Sequence, residues 1–293
     1  MMDRRTAWLT AARPRTLPAA AAPVLVGGGL AGGDGTFRLG PFLAAMVGAL
    51  AIQVAANFAN DASDAARGAD TPERIGPPRM VAEGIISPGR MWAAVWASVA
   101  VAAAAGVYLI AVAGWVIALI GIVSILAMLG YVGGPVPYGY RALGEVSVFV
   151  FFGLVATVGS RYVHDRAAPL DAWVLGVVMG LLASAILVAN NLRDLETDAA
   201  ADKRTLAVVL GRRRTRSLFA TLMAAAFAII LVGAVTGLTP PASGMAIVLA
   251  PFAVPLVRTA RQAVDGPSLV GVLSGVARLQ LLVGIFVGAG SAV

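Results

Sequence analysis

The sequence predicts an all-α, polytopic integral membrane protein, and three observations carry that prediction. The 293-residue chain is 59% hydrophobic and only 13% charged, where a soluble domain carries about 25% charged residues. Apolar runs of about 18 or more residues recur from end to end, and each is long enough to span a hydrocarbon core of roughly 30 Å. Charges gather in the linkers between runs rather than along helix faces, which excludes an oversized soluble core.

A window of roughly 20 residues gives about nine spans. Their cores fall near 17–32, 40–59, 91–112, 114–132, 143–161, 171–190, 217–236, 243–257 and 269–290, and residues 1–293 form one transmembrane domain. Pro14 and Pro18 mark the start of the first span, which is read as retained rather than cleaved as a leader. The eighth is short and holds Pro251 and Pro255. This arrangement sorts the charges. Of 22 basic residues, Arg38, Arg161 and Arg166 fall on one side, Arg278 within the last span, and all the rest on the other side with the N-terminus. The positive-inside rule places that second side, and the N-terminus, in the cytoplasm of a cell membrane.

Composition also removes function classes. There is no cysteine, so disulfides, thiolate metal sites and a cysteine nucleophile are excluded. The one histidine, His164, lies among Arg161, Asp165 and Arg166 and is expected to be a solvated residue of an outer loop. The net charge of +7 would suggest nucleic acid in a soluble protein. Here the cations flank spans, so no nucleic-acid partner is expected, and the run Arg212-Arg213-Arg214-Thr215-Arg216 reads as an anchor to anionic lipid.

Two long polar linkers stand out on the basic side, from about Asn60 to Arg90 and from about Asn191 to Arg216. The second span runs into Asn57-Phe58-Ala59-Asn60-Asp61-Ala62-Ser63-Asp64, followed by Arg67, Gly68 and Asp70. At helical spacing Asn57, Asp61 and Asp64 share one face, and Gly68 can end the helix so that Asp70 turns back. The sixth span runs into Asn190-Asn191-Leu192-Arg193-Asp194-Leu195-Glu196-Thr197-Asp198, followed by Asp202, Lys203 and Arg204. Asn191, Asp194 and Asp198 again share a face. Clustered carboxylates repel one another unless a cation sits among them, and Mg2+ takes hard oxygens from a few carboxylates plus substrate phosphates. Arg67, Arg74, Lys203 and Arg204 are placed to neutralise the remaining charge of a diphosphate.

These two motifs resemble those of the UbiA superfamily of membrane prenyltransferases, which carry Asn/Asp-rich segments after the second and sixth helices. Ala12-Arg13-Pro14-Arg15-Thr16-Leu17-Pro18, Pro137-Tyr138-Gly139-Tyr140, Gly144-Glu145-Val146 and Asp202-Lys203-Arg204-Thr205 resemble the members that prenylate 1,4-dihydroxy-2-naphthoate. The resemblance implies about nine helices around a central cavity within the lipid bilayer. It implies transfer of a chain from an all-trans-polyprenyl diphosphate to 1,4-dihydroxy-2-naphthoate, with loss of CO2 and diphosphate, giving demethylmenaquinone. Asp61, Asp64, Asp194 and Asp198 are then the expected Mg2+ ligands. Asp70 and Asp202 assist through water or by deprotonating the acceptor, and Asn57, Asn60 and Asn191 orient ligands or diphosphate. Tyr138, with Tyr131 and Tyr140, offers ring faces to an allylic cation. Arg141, Arg13 and Arg15 are candidates for the acceptor carboxylate. Glu145, costly inside a span, is functional or paired. The rival readings are an acceptor such as 4-hydroxybenzoate and, outside enzymes, a secondary transporter with acids lining an ion path.

Overall fold

The computed structural model describes residues 3–68, 76–133, 137–263 and 266–293. Among these the chain is helical, with a single isolated bridge between Arg141 and Arg204 in place of any strand. Eight helical segments among the described residues are long and apolar enough to cross a membrane, and a bent pair at the N-terminus, taken as one span, makes a ninth. In that pair Arg4–Thr16, made of α1 (Arg4–Ala12) and a 3-10 turn (Pro14–Thr16), meets α2 (Pro18–Gly33) at 50°. Arg13 joins α1 to the turn with φ +50°, and Pro14 and Pro18 prevent the segments from joining smoothly.

The other spans are α3 (Leu39–Ala66), α4 (Pro88–Ala113), α5 (Trp115–Val132), Gly144–Asp165, α8 (Leu170–Arg193), Leu206–Thr236, Pro241–Gln262 and α12 (Gly266–Ser291). Three of them are irregular. Gly144–Asp165 starts as α6 (Gly144–Val148), widens into a π segment at Phe149–Val155, and returns to α-helix as α7 (Ala156–Asp165). The short α9 (Leu195–Ala200) precedes α10 (Leu206–Thr236), which breaks at Gly211 with φ +73°. Pro241–Gln262 begins as a tight 3-10 stretch before α11 (Ala250–Gln262).

The bundle is organised around α8. Most of its apolar window is buried, 72% against 17–44% for the other spans, so its near-continuous Leu/Val/Ala/Met sequence faces protein around most of the helix. Leu175, Met179 and Leu182 of α8 pack in one core with Val26 of α2, Phe219 and Met223 of α10, and Val276 and Val283 of α12. A second core joins α3, α4 and α5 to α1 and to Met80 and Ile86 of the α3–α4 linker. Between the two cores the helices leave a cavity.

One expectation fails. His164 is buried at the end of α7 rather than solvated. Its Nδ1 accepts the Arg38 backbone N–H at 2.9 Å and its ring stacks on Phe37. The neighbours that make it look exposed in sequence are themselves paired: Arg161 binds Asp165 and, across the bundle, Asp34.

Candidate active site

α3 is 28 residues long, about 42 Å at 1.5 Å per residue. It overshoots a hydrocarbon core of roughly 30 Å and carries its last turns, with Asn57 to Asp64, to the membrane boundary. α8 ends at the same boundary with Asn190 to Asp194, and α9 continues to Asp198. The cavity between them is polar at this end, where Arg13, Asn57, Asn60, Asp64, Arg79, Asn190, Asn191, Asp194, Asp198 and Lys203 line it. Elsewhere its wall is mostly apolar, including Ala49, Gly121, Met128, Phe151, Phe152 and Ile186.

Each acid has its own environment. Asp64 is buried; its Oδ2 accepts from Arg79 at 2.8 Å and its Oδ1 from the Tyr140 hydroxyl at 2.7 Å. Asp194 takes two bonds from the adjacent Arg193, whose Nη2 also reaches Asn190 Oδ1 at 3.0 Å. Asp198 Oδ1 lies 3.4 Å from Lys203 Nζ, while its Oδ2 is buried with no partner. Burial raises the Asp198 carboxyl to about 6; Lys203 opposes that rise, and Asp194 and Asp64 add to it. Burial would lower the Lys203 ammonium, but Asp64, Asp198 and Asp194 outweigh it and hold it above its usual value.

Asp61 behaves differently. Its two oxygens accept the backbone N–H groups of Met80 and Val81 at 3.1 and 2.9 Å, and it does not line the cavity. It pins the returning linker beneath the motif, which delivers Arg79 to Asp64. Asn57 donates to the Ala12 carbonyl at 2.8 Å and to Thr16 at 3.0 Å, tying the N-terminal break to α3. Asn191 donates to Glu145 Oε1 at 2.8 Å.

The aromatic wall is anchored too. Tyr138 donates to the Ala127 carbonyl at 2.6 Å and meets Tyr131 edge-on with ring centroids 5.4 Å apart. Tyr140 lies under two cations, Lys203 at 5.1 Å and Arg67 at 5.6 Å from its ring centre. Burial, then Asp64, keeps the Tyr140 hydroxyl protonated well above its ordinary range.

The chain matches the model of the UbiA prenyltransferase family over residues 20–268. It belongs to that family. It is 40% identical over 267 residues to 1,4-dihydroxy-2-naphthoate octaprenyltransferase of Mycobacterium tuberculosis (strain ATCC 25618 / H37Rv), covering 91% of this chain and 90% of the relative. It is 39% identical over 229 residues to the protein of that name from Escherichia coli (strain K12), covering 76% of this chain and 74% of the relative. Two solved structures share the fold. A UbiA homolog from Archaeoglobus fulgidus bound to GPP and Mg2+ superposes with a TM-score of 0.63 at 14% identity, over 96% of this chain and 99% of the other. The apo UbiA homolog from Aeropyrum pernix K1 gives 0.67 at 17% identity, over 92% and 96%.

Within this UbiA-family site, the cavity gathers Asn57, Asn60, Asp64, Asn191, Asp194, Asp198, Lys203 and Tyr138 from the residues anticipated in sequence. Asp70 and Arg74 lie outside the described residues. Asp202, Arg204, Arg67 and Arg141 are exposed and off the cavity wall. Of the three arginines considered for the acceptor carboxylate, only Arg13 lines the cavity. The sequence reading gave no role to Arg79, Arg193, Gln53, Thr16 or Ser147. Arg193 had a signal, being inside the second motif; Arg79 had none that separates it from other linker arginines.

Proposed function

We propose that the chain transfers a polyprenyl group from an all-trans-polyprenyl diphosphate to 1,4-dihydroxy-2-naphthoate, releasing diphosphate and CO2 and giving demethylmenaquinol, the reduced form of demethylmenaquinone. The observation that carries this reading is the cavity itself. One end gathers carboxylates, amides and cations suited to a metal diphosphate, and the rest is a greasy chamber suited to an isoprenoid. The names of the relatives in Mycobacterium tuberculosis and Escherichia coli support the acceptor.

A divalent cation fits the polar end. The donors are all hard oxygens, and the buried Asp198 Oδ2 lacks any partner, a costly state that a cation relieves. Among the described residues no three acids converge into a ready-made metal cluster, because Arg79 and Arg193 hold Asp64 and Asp194. Mg2+ is our assignment, in keeping with the solved relative bound to GPP and Mg2+. Asp198, Asp64 and Asp194 would hold it, with Asn57, Asn60 and Asn191 beside them. Bound there, it would neutralise charge building on the departing diphosphate.

The protein's own groups do the rest. Arg79 and Lys203 face the diphosphate and offset its charge as the C–O bond breaks and its electron pair leaves with the diphosphate oxygen. The rings of Tyr131 and Tyr138 face the resulting allylic cation. Apolar walls keep out water, a competing nucleophile. The ring carbon bearing the carboxylate attacks; a C–C bond forms, and CO2 leaves its bonding pair to the ring. Arg13 is placed to hold that carboxylate. The charge asymmetry of the linkers supports a polar end that faces the cytoplasm from the plasma membrane.

The test is an assay of purified protein with a polyprenyl diphosphate and Mg2+, offering 1,4-dihydroxy-2-naphthoate or 4-hydroxybenzoate, with and without EDTA. A metal-dependent, decarboxylated product from the naphthoate alone is expected. Product from 4-hydroxybenzoate alone would overturn the acceptor, and no product from any aromatic acceptor would overturn the reaction.

A further inference from the structure

Away from the cavity, the adjoining ends of α10 and α11 form a second polar feature. Arg212, Arg213, Arg216, Ser217 and Arg261 line a hollow that no carboxylate lines among the described residues. Arg212 pairs with Glu196 of α9, which sets the hollow on the same face of the molecule as the acid motif. Arg216 donates through Nη2 to the Ala263 carbonyl, and its Nε is buried with no partner. The side chains of Arg213 and Arg261 are exposed and make no hydrogen bond or ion pair among the described residues. Guanidinium groups crowded in this way repel, and a buried unsatisfied donor is costly. A phosphate relieves both, because it accepts several N–H bonds in the fork geometry of arginine.

The surroundings choose among phosphates. Below Arg213, α10 exposes Ser217, Thr221, Ala224 and Ala228 in steps of three or four residues. The stripe continues to the exposed Leu231 and Val235. α11 packs beside α10 and exposes Val254 on the face of Arg261, two turns below it. Small side chains make up the exposed face that runs down from the cationic hollow. A soluble phosphate has no use for such a face; an acyl chain does. We infer that the hollow binds the phosphate headgroup of an anionic phospholipid from the leaflet on this face, with one acyl chain lying along the small-residue stripe of α10.

The experiment uses the purified full-length protein in neutral detergent, titrated with phosphatidylglycerol or phosphatidylcholine and read by native mass spectrometry. Inorganic diphosphate is added as competitor. The wild-type protein is expected to retain phosphatidylglycerol in preference to phosphatidylcholine. Arg213→Gln with Arg261→Gln should weaken that retention roughly thirtyfold, about fivefold for each arginine. Both positions are exposed, so thermal stability in lipid-free detergent should be unchanged. Ala224→Trp, which fills the stripe, should weaken phosphatidylglycerol binding while the hollow keeps its arginines. Equal retention by the double variant and the wild type would overturn the site. Full displacement by diphosphate, with Ala224→Trp behaving as wild type, would make it a soluble-phosphate site and overturn the lipid assignment.

Discussion

At the scale of single residues, Glu145 is the side chain whose placement most needs explaining. It is buried within a span; Oε1 accepts from Asn191, and Oε2 has no partner. Because the Asn191 amide nitrogen is committed to Glu145, its carbonyl oxygen is left for the cavity that Asn191 lines. Glu145 thus acts as a positioning residue. Glu145→Ala frees the amide and forfeits a charge-assisted bond of about 1.5–3 kcal/mol, so kcat/KM for the donor should fall roughly ten- to a hundredfold. Glu145→Gln keeps an acceptor and should retain most activity. If Gln is as damaging as Ala, Glu145 works through its proton and the positioning role is wrong. Asp198 gives a second expectation. With its carboxyl at about 6, a cation must displace a proton below that pH and none above it. Mg2+ affinity should be flat above about pH 6 and fall by up to about tenfold per unit below it. Affinity unchanged down to about pH 5 would show that Asp198 does not ligate. Sequence spacing predicted the shared helix faces by which Asp64, Asp194 and Asp198 line the cavity, because helical periodicity is local. It missed Arg79 and the diversion of Asp61 because both depend on a linker returning 15 to 20 residues later. Nothing in the helix reports that return.

At the scale of elements, the helix count was legible because each span needs its own apolar run, whatever it packs against. The irregularities were not. The π segment Phe149–Val155 reads in sequence as ordinary helix, yet it turns Phe151, Phe152 and Val155 to the cavity wall. Tight contact with α8 accompanies it. A Cβ on Gly153 would sit 2.4 Å from the Gly180 Cα, backbone that has no rotamer to yield. Gly153→Ala should therefore destabilise by about 1–3 kcal/mol as an overpacking change. Gly271→Ala on α12, where a Cβ meets nothing within 4 Å, should be neutral or stabilising by about 0.5–1 kcal/mol. Thermal unfolding of both variants in one detergent decides it. Equal midpoints would mean that the helix pair slides apart freely and that the close approach holds nothing in place.

At the scale of the whole molecule, the cavity runs through the bilayer rather than stopping at the site. Its wall includes both Ala45 and Asp64 of α3, about 28 Å apart at 1.5 Å per residue and close to the full hydrocarbon thickness of roughly 30 Å. The far wall is built of small residues, among them Gly48, Ala49, Gly106 and Gly121. A Cβ on Gly106 or Gly121 would meet nothing within 4 Å, so these glycines are open space facing the chamber. A donor held by its diphosphate at the acid end must lay its tail down this chamber, and its length decides how deep it reaches. Gly121 lies about 15 Å along α5 from Tyr131, beyond the reach of a short tail. Gly121→Phe should obstruct long donors and leave short ones alone. With a long polyprenyl diphosphate, kcat/KM should fall by about tenfold or more, the cost expected of overpacking a filled chamber. With geranyl diphosphate it should stay near the wild-type value. A parallel loss for both donors would place the fault in folding or in the polar end. No loss for either would mean that long tails leave the chamber sideways into lipid before they reach Gly121.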